Sequence, residues 1–524
     1  MLPDVLPQED WCYLYREKVL PLIDEEAFRA LYAESIGRPN APIKTMVSLL
    51  IFMGLEELTW RSAEYQFARR LDWMIATNTA CGEAHIDHTT LFKFYQRLEG
   101  NQVASTLFTM FVESFTKTCG VSLKQQRTDS FFIYGWLRTL SRYGLFKETI
   151  AKFLRALRKH KPGLYAEISK ALSQDYLARD FDLCEKDKVL AQRKVSLMAG
   201  DLYQIKCAFE NHHQVKHYET FEVLCQVFTG QCEVKDPPDQ APEITLKDPP
   251  DQDAICTPHN PEVRYIRKGK QRVTGDKAVI TETCDKDNKV QFITDVDVVK
   301  ITTADSHLCP VVQDRLIENG FGPEILYEDA GFITGEAILT SLEKSIDLKG
   351  PVAGRSQSFE KFEQADRPLD AADFDVRIDQ ADGQLLVVSC PGQQVVRDQK
   401  PSEKTGDILV HFDAEICLAC PLSSRCPVHI GKLVATFRVS KAQYVGARRY
   451  HLYMQDGPYR KQCAVRAGVE ATVSELTRAH GARASRHRKA VRTRLQIIFA
   501  AMACNVKRFI RYSRQCACPA LDLG

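Results

Sequence analysis

The sequence contains no long apolar run and no apolar signal segment. A membrane-spanning helix needs about 18 to 20 apolar residues in succession, and no stretch of the chain approaches that length. The opening stretch, MLPDVLPQEDWCYLYREKVL, carries acidic residues and lacks the apolar centre of a secretory signal. We therefore expect a chain that stays in the cytoplasm and has no membrane partner.

Acidic residues are missing from one long stretch near the C-terminal end. The formal net charge of +2 says little about partners, but no Asp or Glu occurs between Leu476 and Arg514. Basic residues crowd into the same stretch: Arg478, Arg483, Arg486, Arg488, Lys489, Arg492, Arg494, Lys507, Arg508 and Arg511. A solvated helix face is one explanation. A polyanionic partner explains such a run of basic residues better, because their binding to phosphates releases counterions and this release favours association.

The N-terminal part of the chain has a helical pattern. With 524 residues, 44% hydrophobic and 26% charged, the chain predicts a folded protein of several domains. Thr59 is a candidate N-cap for a helix from Trp60 to Leu71, and Asp87 for a helix through Leu98. The second helix leaves Lys93 and Arg97 outside, as a helix-turn-helix that enters a DNA groove would. Helical bundles without a DNA partner share this pattern.

The periodicity changes in the middle of the chain. Helical spacing continues over 136–230, and the hexapeptide KDPPDQ then occurs twice, at 235–240 and 247–252, which predicts an extended linker or surface loop. Beyond it the pattern indicates a hairpin, helix, strand, helix and strand, a mixed α/β core. Polar, turn-rich sequence over 355–440 interrupts this core, and helix returns from Tyr459 to Arg511.

Three acidic residues have settings that suit metal chemistry. Asp129 lies in RTDS at the end of a strand candidate, Asp329 in LYEDAGF after a buried strand, and Glu470 in RAGVE on a helix. Such carboxylates can converge at one edge of a sheet and suit Mg²⁺. Two ions about 4 Å apart could activate the attacking oxygen and stabilise the leaving one. The alternative is that each is an ordinary surface acid, since the chain has 68 Asp and Glu residues.

Four of the 18 cysteines form a cluster that could bind zinc, although the spacing from Cys420 to Cys426 is irregular and one C-x-x-C pair is only half of a usual zinc ribbon. Cys417 and Cys420 form a C-x-x-C pair, and Cys390 and Cys426 could complete a four-thiolate structural site. The surrounding sequence has no obvious core of its own and would gain folding energy from a metal. Free buried cysteines are the alternative. His411, His429 or Cys463 could replace one ligand.

Several motifs in order resemble a known family. RTDS, then GDKAVITETCD with FITDVDVV, YEDAGFITGEAIL and RAGVEATVSEL resemble transposases of bacterial insertion sequences with a DDE catalytic site, closest to the 1182 family of insertion sequences. The stretch GRPNAPIKTMVSLLIFMGLEELTWRSAEYQFARRLDW, followed by DHTTLFKFYQRL, is similar to the N-terminal helical domain of those enzymes. The resemblance covers about residues 35 to 512.

The resemblance implies an α/β fold with a ribonuclease-H-like mixed-sheet core. Asp129 would end its first strand, Asp329 would follow its fourth, and Glu470 would lie on a late helix, with Arg466 one turn earlier to hold a phosphate or orient the glutamate. The domains would be an N-terminal helical, helix-turn-helix-like DNA-binding domain (1–115), the first part of the core (116–354) with a helical insertion at 131–260, a Cys-rich insertion (355–440) and the C-terminal helices (441–515).

The implied function is a transposase that binds element ends and catalyses metal-dependent cleavage and strand transfer. It would use two Mg²⁺ ions, or Mn²⁺, on Asp129, Asp329 and Glu470, and would act near the nucleoid as a homodimer or larger assembly. Its partners would be double-stranded terminal inverted repeats and target DNA, contacted by Arg466, Arg478, Arg483, Arg486, Lys489, Lys93 and Arg97. A domesticated, inactive DNA-binding relative and a stand-alone nuclease are the alternatives. The sequence departs from the family pattern at two positions near Glu470. Transposases of related insertion sequences have Tyr and Lys where this chain has Cys463 and Thr477.

Overall fold

The computed structural model describes residues 6–32, 41–135, 140–178, 188–236, 242–251, 253–269, 271–353, 367–378, 384–402, 405 and 407–517. Within these ranges the helices and strands form a mixed α/β structure with three separate apolar cores. The mixed α/β class expected from the sequence is confirmed. Over the same ranges, no helix combines the length and the apolar character needed to cross a membrane.

In the described residues up to 119, the α-helices are α1 Trp11–Lys18, α2 Ile43–Leu55, α3 Trp60–Phe67, α4 Leu71–Ala76, α5 His88–Arg97 and α6 Val103–Cys119. The predicted caps are confirmed, because Thr59 accepts from the Ser62 N–H and Asp87 from the Thr89 N–H. Helix α3, which Thr59 caps, ends at Phe67 and is shorter than the expected Trp60 to Leu71. Arg70 bonds Glu56 and Asp72 and has an extended backbone, which ends the helical run before Leu71.

The central sheet is mixed. Its strands are β1 Gln125–Tyr134, β4 Arg264–Lys268, β5 Gln271–Thr283, β6 Ile293–Lys300, β7 Ile325–Tyr327 and β8 Asp347–Lys349. Strand β5 pairs antiparallel with β1 on one side and with β4 and β6 on the other. Strand β7 is parallel to both β1 and β8. Helices α11 (Asp305–Glu318) and α12 (Gly335–Glu343) follow β6 and β7 along the chain.

The first strand is longer than the sequence suggested. Asp129 pairs with Ile280 near the middle of β1, and pairing continues to Tyr134 opposite Gly275. The expectation that Asp129 ends the strand is therefore wrong. Phe131 and Ile133 are buried and extend the alternation beyond the acid, which the polar residues around Asp129 concealed.

Between β1 and β4 lies an insertion with its own core. It contains α7 Arg142–His160, α8 Pro162–Ala171, α9 Lys188–Phe209, α10 Glu219–Gln231, β2 Cys232–Lys235 and β3 Glu243–Leu246. Because β1 runs to Tyr134, the insertion begins later than residue 131, and the β2–β3 hairpin makes it only partly helical. The two KDPPDQ copies start at the end of β2 and just after β3, and residues 237–241 and 252 lie outside the described ranges.

The Cys-rich segment also has a core, contrary to expectation. Its elements are β9 Asp375–Ile378, β10 Leu385–Ser389, β11 Asp398–Pro401, β12 Ile408–Asp413, α13 Ala414–Ala419, β13 His429–Ile430 and β14 Val434–Val439. Val410 and Phe412 of β12 are buried, and Phe437 of β14 stacks on Phe374 at 4.1 Å. The strands are short and separated by polar turns, so their alternation is hard to recognise in the sequence.

Four helices form the C-terminal part: α14 Lys441–Gln455, α15 Gly457–Cys463, α16 Val469–Ala479 and α17 Ala490–Ala517. A 3₁₀ turn, Ala464–Gly468, precedes α16. The helical run expected through Arg511 is broken between α16 and α17, where Ser485 donates its N–H to the Tyr134 carbonyl at 2.8 Å. Helix α17 packs against α2, α6 and β6, so the N-terminal helices and the sheet share one core.

Candidate active site

Asp129 lies half-buried in β1, and its electrostatic neighbours come from distant parts of the chain. Burial is the main cause that raises the pKa of Asp129 to about 6. The carboxylates of Asp329 and Glu470 raise this pKa further, whereas the Ser130 N–H and Arg466 lower it. The structure therefore brings the three predicted acids and the predicted arginine together.

Asp329 lies two residues beyond β7, in a tight turn. Its Oδ1 accepts the N–H of Gly331 at 2.8 Å, and its carbonyl accepts from Phe332 and Ile333. A Cβ on Gly331 would lie 3.1 Å from this Oδ1 and 3.2 Å from Oδ2 of Asp305. The close approach of two carboxylates explains why a residue without a side chain follows the Asp-Ala pair.

Asp305 is a carboxylate beside the site that the sequence reasoning missed. It is the first residue of α11. Its Oδ1 accepts from Ser130 Oγ at 3.0 Å and from Lys277 Nζ at 2.9 Å. Lys277 is buried in β5, and a lysine inside the apolar strand GDKAVITET was the available signal, because buried lysines are rare unless paired.

Glu470 is an exposed residue of the first turn of α16, and Arg466 lies in the preceding 3₁₀ turn. Glu475, the other acid of RAGVEATVSEL, points into another environment. Its carboxylate lies 3.0 Å from Lys507 and 3.0 Å from Arg508, and His480 together with these bases lowers its pKa. The structure therefore favours Glu470 as the neighbour of Asp129.

Behind Glu470 lies a buried ionic network centred on Glu282 of β5. The Glu282 carboxylate accepts from Arg127 Nε and Nη2 at 2.9 and 2.7 Å. It also accepts from Thr472 Oγ1 at 2.6 Å and from Arg508 Nη1 at 3.1 Å. Sequence reasoning missed this network, which joins β1, β5, α16 and α17.

Arg127 extends the network to the turn that carries Arg466. Its Nη1 donates to the Val465 carbonyl at 2.8 Å, and a Cβ on Gly468 would lie 2.0 Å from the same nitrogen. Arg127 precedes Asp129 by two residues, so the two share one face of β1. The same strand thus carries the central acid and fixes the turn before Glu470.

Glu328 occupies a different environment from its neighbour Asp329. It is fully buried, and burial raises its pKa to about 8. Side chains of Cys309 and Thr128 oppose this rise by hydrogen bonding to the carboxyl group. The buried Glu328 and the half-buried Asp329 therefore point to different sides of the chain at the end of β7.

The basic residues of the C-terminal stretch divide into two sets. Several form ion pairs within the chain: Arg492 with Glu99, Arg494 with Asp297, and both Lys507 and Arg508 with Glu475. The predicted DNA contacts Arg478, Arg483, Lys489, Lys93 and Arg97 are exposed. Arg486 is also exposed, but its guanidinium donates to the carbonyls of Leu58 and Glu57 at 2.6 and 3.0 Å, which gives it a structural use.

The four predicted zinc ligands line one cavity of about 40 Å³ in the Cys-rich segment. Cys390 follows β10, whereas Cys417 belongs to α13 and Cys420 and Cys426 come after that helix. Elsewhere His411 pairs with Asp398 at 2.6 Å. The structure therefore brings Cys390 into the same cavity as the three later cysteines.

The tightest clusters of side chains that could bind a metal ion lie away from both candidate metal sites. Over the described ranges, three groups hold their ligand atoms within 4.8 Å of one another: Glu475, His480 and Cys504; Glu64, Asp87 and His88; Asp370, Asp373 and His451. The three acids at Asp129 and the four cysteines are not among them, so both sets are more open. An open set of carboxylates leaves room for a cation and its water ligands.

Two family models match the chain. "Transposase DDE domain" matches residues 389–510, which include Glu470, and "Transposase domain (DUF772)" matches residues 4–97. These matches indicate an insertion-sequence transposase family of the DDE type. No curated protein and no solved structure gives a significant match. A DDE transposase family suggests a DNA-cleaving enzyme, divalent metal ions and DNA as the partner.

Proposed function

We propose that this chain is a metal-dependent DNA transposase whose catalytic carboxylates are Asp129, Asp329 and Glu470. The observation that carries the proposal is that Asp329, Glu470 and Arg466, from three separate parts of the chain, all act electrostatically on the half-buried Asp129 of β1. Acids that repel one another form a site that a cation would stabilise, and perturbed groups of this kind concentrate at functional sites. On motif grounds, the family we propose is the 1182 family of insertion sequences.

The sheet supports a ribonuclease-H-like core for this enzyme. Counting β1, β5, β6, β7 and β8 as strands one to five, strands three, two and one are antiparallel neighbours, and strands four and five are parallel to the first. Asp129 then lies on the central strand and Asp329 follows the fourth. The insertion between strands one and two accounts for the long separation of the two aspartates.

The donor set suits Mg²⁺ or Mn²⁺, because carboxylates are the hard oxygen ligands these ions take. Two such ions would activate the attacking oxygen and stabilise the leaving oxygen of a phosphodiester. Arg466, which opposes the raised pKa of Asp129, would hold a phosphate at the same site. The reaction would be hydrolysis at an element end, followed by in-line attack of the freed 3′-hydroxyl on target DNA.

DNA would lie across the exposed basic residues around this site. Arg478, Arg483 and Lys489 follow Glu470 along the chain, and Lys93 and Arg97 lie on the exposed face of α5 as in a helix-turn-helix. Backbone phosphates would be contacted by the first set and terminal-repeat bases by the second. Two element ends have to be held together, so we propose a dimer or larger assembly on DNA.

The test is cleavage of labelled duplexes carrying the two ends of the surrounding insertion sequence, with Mg²⁺. We expect cleaved and joined products from the unmodified chain, and neither from Asp329→Asn. Glu324→Gln is the control, because Glu324 is exposed, pairs with Lys124 and precedes the same strand. Cleavage without joining would show a nuclease, and binding without cleavage would show an inactive relative.

A further inference from the structure

The Cys-rich segment contains a second candidate metal site, far in sequence from the acidic residues. We propose that Cys390, Cys417, Cys420 and Cys426 bind one structural Zn²⁺ ion, which ties the β9–β10 hairpin to α13 and the loop after it. All four residues line the same small cavity. This site is independent of the proposed transposase chemistry.

Cys390 approaches from a tight turn. Residues 390–394 close through the Gln393 N–H to the Cys390 carbonyl and the Cys390 N–H to the Gln394 carbonyl, both at 2.9 Å. Gln393 adopts the left-handed region at φ 65°. The Gln394 N–H then points at Cys390 Sγ at 3.3 Å. A backbone N–H in this position fixes the direction of the sulfur, as the hydrogen bonds around metal-bound ligands do.

The other three sulfurs come from the opposite wall. Cys417 and Cys420 are joined by a turn in which the Cys420 N–H bonds the Cys417 carbonyl at 3.3 Å, and Cys426 follows a second turn. A Cβ placed on Gly392 would lie 3.3 Å from Cys420 Sγ and 3.6 Å from Cys390 Sγ. The glycine thus allows sulfurs from both walls to approach each other.

Two of the four thiols, those of Cys417 and Cys426, are perturbed by the other cysteines of the set. Burial and the other three thiols of the set raise the pKa of Cys417, and burial and the neighbouring Cys390 and Cys420 raise that of Cys426. Zinc binding would release their protons. Because zinc–sulfur bonds of about 2.3 Å place tetrahedral sulfurs about 3.8 Å apart, the ion would draw the sulfurs inward into the cavity.

The ion would act as a cross-link in a small structural unit. Hairpin β9–β10 and the four-stranded sheet of β11 to β14 are separate sheets that share one compact core. Cys390 belongs to the first and the other three cysteines to the second. A metal bond between them would stabilise the arrangement of two sheets that a core of this size holds weakly.

The test measures metal in the full-length protein. Protein produced in zinc-supplemented medium and dialysed without chelator should retain one equivalent of zinc by elemental analysis. Replacement by Co²⁺ should give the intense visible absorption of tetrahedral thiolate coordination. Cys390→Ser and Cys420→Ser should each lose the metal, whereas Cys225→Ser, a half-buried cysteine of α10, should keep it.

Two results would overturn the proposal. One is an unmodified protein that retains no zinc and gives no tetrahedral cobalt spectrum, a measurement that does not depend on how the variants fold. The other is full retention in both Cys390→Ser and Cys420→Ser. DNA cleavage plays no part in these readouts, so failure of the transposase proposal would leave this one intact.

Discussion

Removing the charge of Glu282 is the sharpest test of the network behind the candidate site. Glu282→Gln keeps the size of the side chain but removes the carboxylate that Arg127 and Arg508 share. The Glu282 side chain is 1% exposed, and those of the two arginines 14% and 17%, so water cannot replace the lost charge.

The expected loss can be estimated from these contacts. Removing one partner of a buried ion pair costs about 3 to 5 kcal/mol. Each arginine retains another acceptor, the Val465 carbonyl for Arg127 and the Glu475 carboxylate for Arg508. We therefore expect the lower end, about 3 kcal/mol of the free energy of unfolding.

Urea unfolding followed by tryptophan fluorescence would measure this loss. Trp11, Trp60 and Trp73 all pack in the core that contains the sheet, so their emission reports its unfolding. Glu318→Gln, at an exposed position on α11, is the matched control and should change stability by less than about 0.5 kcal/mol. A loss below about 1 kcal/mol for Glu282→Gln would refute the view that this carboxylate is a buried cross-link.

Three further changes test the site. With a chelator present to remove metal ions, Asp129→Asn should raise the free energy of unfolding by about 1 to 3 kcal/mol at pH 8. The raised pKa of Asp129 makes its ionised form unfavourable, so this gain should grow between pH 4 and 6 in urea titrations, and a constant gain would contradict it. Gly468→Ala, whose Cβ meets a guanidinium at 2.0 Å, should lower the melting temperature more than Gly163→Ala, where nothing lies within 4 Å; equal shifts would refute the contact. Arg478→Ala should reduce the salt slope of DNA binding by about one, and Arg494→Ala, whose guanidinium is ion-paired, by less; equal reductions would argue against phosphate contact at Arg478.

Features with a local cause could be predicted from the sequence. A cap needs only a side-chain oxygen and a nearby N–H, so Thr59 and Asp87 were recognisable before their helices. The β5–β6 hairpin was visible for the same reason, because its alternation and its turn lie in one continuous stretch. Asp329 was marked by the buried strand before it and the glycine after it.

Features that depend on distant partners could not be predicted. The strand position of Asp129 depends on β5 and β7, which pair with β1 from more than a hundred residues away. Glu282 is separated by 155 positions from Arg127 and by 226 from Arg508, and nothing near any of them in sequence identifies the others. The core of the Cys-rich segment was concealed similarly, because it is assembled from short strands across several turns.

The contact between α2 and α17 bears on whether the N-terminal helices could be exchanged for those of a related protein. A Cβ on Gly54 would lie 3.1 Å from the Cβ of Ala503 and 3.1 Å from the Phe499 carbonyl, so the two helices meet almost backbone to backbone. A chimera that takes its first 115 residues from another element would have to match this surface atom for atom. We therefore expect chimeras that transfer the N-terminal helices together with α17 to fold, and chimeras that transfer the N-terminal segment alone to aggregate.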